Sequence, residues 1–156
     1  MASGCHTILT LAGHAGRMIS LKPAQKSDAP FLASLEAEVM RAHAFALWGQ
    51  YQAAEISAFD LAATRLIYRA DWRLGYVTVE TNPDHLRLRK LYLAPIAQGK
   101  GIGGAVLALI RAEAEAAGLP LRLSVLAPNT RALAFYLREG LHVAETTAER
   151  VFLQSP

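Results

Sequence analysis

Apolar and polar positions alternate from Met18 to Lys22 and stop at Pro23, which predicts a first strand over 18–23. Ser27 and Asp28 then offer N-cap oxygens, and Pro30 suits a first helical turn. Phe31, Leu32, Leu35 and Val39 recur at three- and four-residue spacing, the signature of an amphipathic helix. Beyond His43 the period is less regular, and Trp48-Gly49 divides it into two helical pieces, 44–48 and 52–58. Residues 65–69 and 74–80 are rich in β-branched and aromatic side chains and predict a hairpin. Asn82-Pro83-Asp84-His85 is turn chemistry leading into a strand over 86–94, so three consecutive strands form an antiparallel meander.

The period then changes. Residues 102–117 carry Val106, Leu109, Ile110 and Ala114 on one side, with Gly118 placed to end a helix. A strand over 121–126 follows, and because a helix separates it from 86–94 the two can lie parallel. Asn129 or Thr130 can cap a last helix through Glu139, closed by Gly140, before a hairpin of 141–145 with 150–154. The expected fold class is α/β of the α+β kind: a mixed, mostly antiparallel sheet with one parallel pair, flanked by helices.

Composition narrows this picture without redirecting it. A chain of 156 residues, 53% hydrophobic and 19% charged, fits one domain with a substantial core and argues against disorder. The net charge of +3 is spread along the chain with no basic run, so nucleic acid is not an expected partner. No apolar segment approaches the roughly 20 residues of a membrane helix, and no membrane partner is expected. Cys5 is the only cysteine, which excludes an intrachain disulfide and any cysteine cluster for a metal, and fits a reducing, cytoplasmic setting. Residues 1–16 hold no Asp, Glu, Lys or Arg, so the apolar Ile8–Ala12 stretch lacks the basic flank of a signal peptide. Residues 1–17 are expected to be a disordered extension ahead of a domain over 18–156.

The candidate chemistry lies at the junction of the meander and the long helix. Gln98-Gly99-Lys100-Gly101-Ile102-Gly103-Gly104 joins an apolar strand to a helix N-terminus, where unpaired N–H groups and the helix dipole favour an anion. Gly99, Gly101 and Gly104 satisfy G-x-G-x-x-G, so a dinucleotide-dependent oxidoreductase is one reading. That fingerprint belongs to the first unit of a doubly wound sheet with an acid about 20 positions on. Here a meander precedes it, and no acid stands between the next strand and Glu139. A nucleotide P-loop needs a glycine five residues before its lysine and Ser or Thr after it, but Lys100 has Pro95 and Gly101.

Gln98-x-x-Gly101-x-Gly103 after Leu91-Tyr92-Leu93-Ala94-Pro95, followed by Asn129-x-x-Ala132-x-x-Phe135-Tyr136-x-x-x-Gly140-Leu141, resembles the GCN5-related N-acetyltransferase (GNAT) family. The resemblance covers nearly the whole domain from Met18. It implies acetyl-CoA as the cofactor, its pyrophosphate held by backbone N–H groups of 98–104 and its pantetheine arm paired with the backbone at Leu91 and Leu93. Leu91 and Leu93 serve equally well as core residues. Asn129 and Ala132 fall at cofactor-side positions, although Asn129 also caps its helix. Tyr136 matches the tyrosine that protonates the departing thiolate, and a backbone N–H near Leu93 would meet the oxyanion. The resemblance expects a carboxylate on the strand leading to the loop or on the one before it; 86–94 holds none, which leaves Glu80, near the end of the preceding strand, and His85, just before 86–94, as candidate bases. By the same likeness Trp48 and Tyr51 would stand on the wall of the acceptor site.

The expected activity is therefore transfer of an acetyl group from acetyl-CoA to a primary amine of a small molecule, a lysine or a protein N-terminus. A non-catalytic acyl-CoA-binding or sensor module is an alternative, and a homodimer is a possible assembly.

Overall fold

The computed structural model describes residues 19–156, so the expectations for 1–17, for Cys5 and for Met18 as a strand residue lie outside the described residues. The first strand, β1 (Ile19–Pro23), precedes a 20-residue helix, α1 (Ala29–Trp48). The meander is β2 (Thr64–Arg69), β3 (Trp72–Thr81) and β4 (Leu86–Leu93). It leads to α2 (Ile102–Ala116), β5 (Leu121–Leu126), α3 (Thr130–Arg138) and a closing hairpin of β6 (His142–Thr146) and β7 (Arg150–Gln154). Seven strands form one sheet in the order β1-β2-β3-β4-β5-β7-β6. Every neighbouring pair is antiparallel except β4 with β5, which the α2 crossover makes parallel.

Two apolar clusters sandwich the sheet. On one side Val106, Leu107 and Ile110 of α2 pack on Val77, Leu86, Leu88, Leu121 and Leu123. On the other, Leu32 and Leu35 of α1 meet Phe59, Leu66 and Tyr76. Burying a leucine-sized side chain contributes roughly 1.5–3 kcal/mol, so these faces hold the helices to the sheet. Among the described residues no helix is long and apolar enough to cross a membrane.

Two local expectations are corrected. The helical pieces 44–48 and 52–58 are not a pair: 44–48 is the end of α1, and within 52–58 only the short 3-10 turn Ile56–Ala58 is helical. Gly49 ends the helix with φ 68° and an N–H bond to the Phe45 carbonyl, and Gln52, Ala53, Ala54 and Glu55 are exposed, with no apolar stripe to bury. Asp28 does stand at the N-cap of α1, but its carboxylate accepts from the Gln25 N–H at 2.8 Å instead of from the helix.

Candidate active site

β4 and β5 start side by side and then part. Their ladder holds Leu86 with Leu121, Arg87 with Arg122 and Leu88 with Leu123, although β4 runs on to Leu93 and β5 to Leu126. The cause lies in β4's pairing with β3. Thr78 opposes Lys90 and Val79 opposes Leu88, so Arg89 is one residue too many. A bulge bends its strand, and here it turns the end of β4 away from β5. It also exchanges the strand's two edges. The Leu86 N–H donates towards β5, to the Pro120 carbonyl, whereas beyond the bulge the Ala94 N–H donates to Leu74 on β3. Successive residues of a strand point to opposite edges, so the backbone groups of Leu91 and Leu93 face the gap that β5 has left. A Cβ on Gly75 would overlap the Tyr92 carbonyl oxygen, so glycine lets β3 keep its hold on β4 through the bend.

The glycine loop stands at the open end of this gap. Gly99 and Gly101 have φ of 72° and 77°, in the left-handed region, and a Cβ at either would meet nothing within 4 Å. The turn needs glycine for its shape and opens outward. Among the described residues the N–H groups of 99–104 find no acceptor. Such uncovered amides at a helix N-terminus fit a diphosphate, and the strand edge at Leu91, with the Leu93 N–H, fits an amide-bearing arm. Gln98 ties the parts together: its Nε2 donates to the Leu93 carbonyl at 3.0 Å and its Oε1 accepts from Arg131 Nη1 at 3.2 Å. Lys100 is exposed, whereas Ile102 is buried and anchors the first turn of α2.

α3 closes the other side. The Asn129 Oδ1 caps it by accepting from the Ala132 N–H at 3.1 Å, and Ala132 packs against the core. A Cβ on Gly103 would stand 3.4 Å from the Phe135 ring and one on Gly104 3.2 Å from Glu139 Oε1, so small residues on α2 let α3 approach. Tyr136 is 7% exposed, packed edge-on to Phe135 with ring centroids 5.0 Å apart. Burial pushes its phenol above the ordinary value of 10, so the hydroxyl keeps its proton through neutral pH. That hydroxyl has no hydrogen-bond partner among the described residues and is not enclosed.

Across β4 the α1 face carries a different set of groups. Lys90 Nζ lies 3.0 Å from Glu36 Oε1 and 4.7 Å from the centroid of the Phe59 ring. Tyr92 packs edge-on to Tyr76, and burial, then the Glu36 carboxylate, then Tyr136 push its phenol up. Burial and Glu36 also raise Tyr51, over whose ring Arg41 lies 5.8 Å from the centroid. Trp48, 44% exposed, donates its indole N–H to Glu149 Oε1 at 3.2 Å, which brings the end of α1 to the β6–β7 turn. From the same turn Arg150 reaches Ser124 Oγ on β5 at 3.3 Å.

Leu91, Leu93, residues 98–104, Asn129, Ala132 and Tyr136 thus come together around one gap, with Trp48 and Tyr51 on the α1 side. Glu80 and His85 stand apart from them, beside the paired half of β4. Glu80 faces Arg87 across the ladder and accepts from Arg89 Nη1 at 2.9 Å. Arg87 lies four residues from Leu91, about 13 Å along the strand. His85 is held in the turn, with Nδ1 2.7 Å from Asp84 and Nε2 3.3 Å from Asn82 Nδ2, and its hydrogen bond holds Asp84 below the usual carboxylate range.

Glu36, Lys90, Tyr92 and Arg150 were not singled out in the sequence. The available signal was Glu36 itself, a carboxylate four residues after Leu32 and next to Leu35, at the margin of an apolar helical stripe. A concavity of about 480 Å³ between Arg111, Gly118, Leu121 and Pro156 lies at the far end of α2 from the glycine loop.

The acetyltransferase (GNAT) family model matches residues 32–141. None of the curated proteins matches the sequence. Among solved structures the chain is similar to an acetyltransferase from Thermus thermophilus, with TM-score 0.70 and 21% identity over 88% of this chain and 96% of that one. It is similar also to the PaiA N-acetyltransferase of Thermoplasma acidophilum in complex with coenzyme A, with TM-score 0.70 and 18% identity over 88% and 98% of the two chains. A third is Arabidopsis thaliana Naa50 in complex with a bisubstrate analogue, with TM-score 0.66 and 18% identity over 88% and 98%. At these identities the likeness shows the fold, including the mixed sheet with its single parallel pair.

Proposed function

Because the chain belongs to the GNAT acetyltransferase family, we propose that it binds acetyl-CoA and passes the acetyl group directly to a primary amine of a small molecule, a lysine or a protein N-terminus. The observation that carries this reading is the gap between β4 and β5, bordered by free amides of the glycine loop, the backbone edge of Leu91 with the Leu93 N–H, and the Tyr136 phenol. Acetyl-CoA supplies the activated thioester, and the protein's contribution is placement.

The amides of 99–104 bind phosphate oxygens, and Leu91 and Leu93 hold the arm that follows as an added strand would be held. The Leu93 N–H is a donor for an oxygen that gains negative charge. Tyr136 is the proton donor to sulfur: burial keeps its phenol protonated through neutral pH, so a proton is at hand where the thiolate leaves. Trp48 and Tyr51 belong to the acceptor wall. Glu80 and His85 are the sequence-derived candidates for removing the amine's proton, and loss of the acidic limb of the rate profile in Glu80→Gln or His85→Ala would assign the role to that residue.

The test is thiol release from acetyl-CoA across a panel of amines, with thermal unfolding measured beside it. Acetyl-CoA is expected to raise the melting temperature and NADH to leave it unchanged, since a ligand that binds only the folded state stabilises it. Protection by NADH alone would overturn the reading. Protection by acetyl-CoA with no turnover of any amine would make the chain a binding module.

A further inference from the structure

Among the described residues, Glu36 carries the one buried side-chain oxygen that has no hydrogen-bond partner. Its side chain is 15% exposed, and Lys90 takes Oε1 at 3.0 Å. Its Oε2 is buried with no partner among the described residues. A carboxylate oxygen shut away from water and left without a donor is costly, and folded proteins rarely leave one so. This oxygen also stands where the proposed reaction needs an acceptor-binding group. Lys90, which holds Glu36, directly precedes Leu91 at the bend of β4. The phenols of Tyr92 and Tyr51 both respond to the Glu36 charge, and Tyr92 responds to Tyr136 as well. Tyr92 packs against the α1-side cluster two residues from Lys90, whereas Glu80 is occupied by Arg89 and His85 by the turn.

We propose that Glu36 Oε2 is the seat of the acceptor's ammonium group and takes its proton. The inference rests on the acetyl transfer proposed above. A second cation completes the carboxylate, with Lys90 on one oxygen and the substrate on the other. Oε2 is buried in the free protein, so seating the ammonium there requires the neighbouring side chains to part while Lys90 keeps Oε1. Nitrogen gives one proton to Glu36. As its lone pair forms the bond to the acetyl carbon and the carbon–sulfur bond breaks, nitrogen sheds a second proton, which replaces the one Tyr136 delivers to sulfur. The transfer releases one proton to solvent through Glu36.

The probe is S-(2-aminoethyl)-coenzyme A, which carries an ammonium two carbons from sulfur, compared with S-propyl-coenzyme A, its uncharged counterpart, by calorimetry at neutral pH. The wild type is expected to prefer the ammonium form by about tenfold, the size of one charge-assisted hydrogen bond. In Glu36→Gln the preference disappears while the affinity for S-propyl-coenzyme A is kept, which also shows that the variant is folded. Glu80→Gln and His85→Ala keep the preference. No preference in the wild type, or a preference that survives Glu36→Gln, would overturn the proposal and leave Oε2 a site for water. If Glu36→Gln does not fold, Glu36→Asp, which draws the charge back by one methylene, is expected to show a reduced preference. Failure of the wild type to bind either compound would instead defeat the acetyl-CoA site on which the proposal stands.

Discussion

The two faces of bent β4 are built by different means. On the α2 side the groups that meet the gap are backbone: the amides of 99–104 and the edge of Leu91 and Leu93, with glycines that keep them bare and Gln98 as a clasp. On the α1 side they are side chains: Glu36, Tyr51, Lys90 and Tyr92, drawn from a helix, a loop and a strand. A backbone site serves one unvarying ligand and can be written as a local spacing of small residues. A side-chain site is assembled across the fold and sets which partner enters.

Tyr136 stands where the two sides meet, and its removal gives the sharpest break. Tyr136→Phe is expected to lower kcat by about 100-fold, the lower range for a positioned general acid. Acetyl-CoA affinity should stay within about twofold, because backbone groups carry it. Because burial raises the phenol's pKa, the protonated form persists above the ordinary value of 10, so the wild-type rate should show no alkaline fall through pH 9 from this group. A pre-steady-state rate that is unchanged in the variant would remove Tyr136 from the chemistry.

Gly101→Ala probes the backbone side by conformation alone. At φ 77° an L side chain costs about 1–2 kcal/mol, and the turn relaxes away from the shape that aims its amides. The expectation is an acetyl-CoA affinity about tenfold weaker by calorimetry, with acceptor KM little changed. Trp48→Ala should do the converse. It removes an indole that joins α1 to Glu149 on the side proposed for the acceptor, so acceptor KM should rise about fivefold, with acetyl-CoA affinity unaltered. Equal effects of both substitutions on both ligands would erase the division between the faces.

The same division explains how much could be read from the sequence. The meander, the α2 crossover and the parallel pair follow from periodicity and from one helix lying between two strands, and the glycine loop and the Asn129–Tyr136 segment follow from spacing within a single turn or helix. The bend of β4 does not. Arg89 reads as an ordinary polar position until its register against Thr78 and Val79 makes it the extra residue. Nor could Glu36 be joined to Lys90, because 54 positions separate them and only the packing of α1 on the sheet brings them together. The region after Trp48 departs from the helix expected over 52–58 for a local reason: Gly49 stops α1 in a left-handed cap, and residues 52–58 are exposed, with no buried apolar stripe to hold another helix.

The smallest expected effect tests the division most severely. Leu91 and Leu93 turn their backbone to the gap while their side chains pack against the α2-side core. If the backbone carries recognition, trimming those side chains alters stability and not binding. Leu91→Val and Leu93→Val each remove one methylene from a partly buried position and should cost about 1 kcal/mol, read as a fall of a few degrees in melting temperature. Acetyl-CoA affinity, measured well below that temperature, should remain within about twofold, because a valine presents the same N–H and C=O to the gap. A loss of affinity larger than the loss of stability would mean that leucine side chains shape the donor site, and the contrast between a backbone face and a side-chain face would no longer hold.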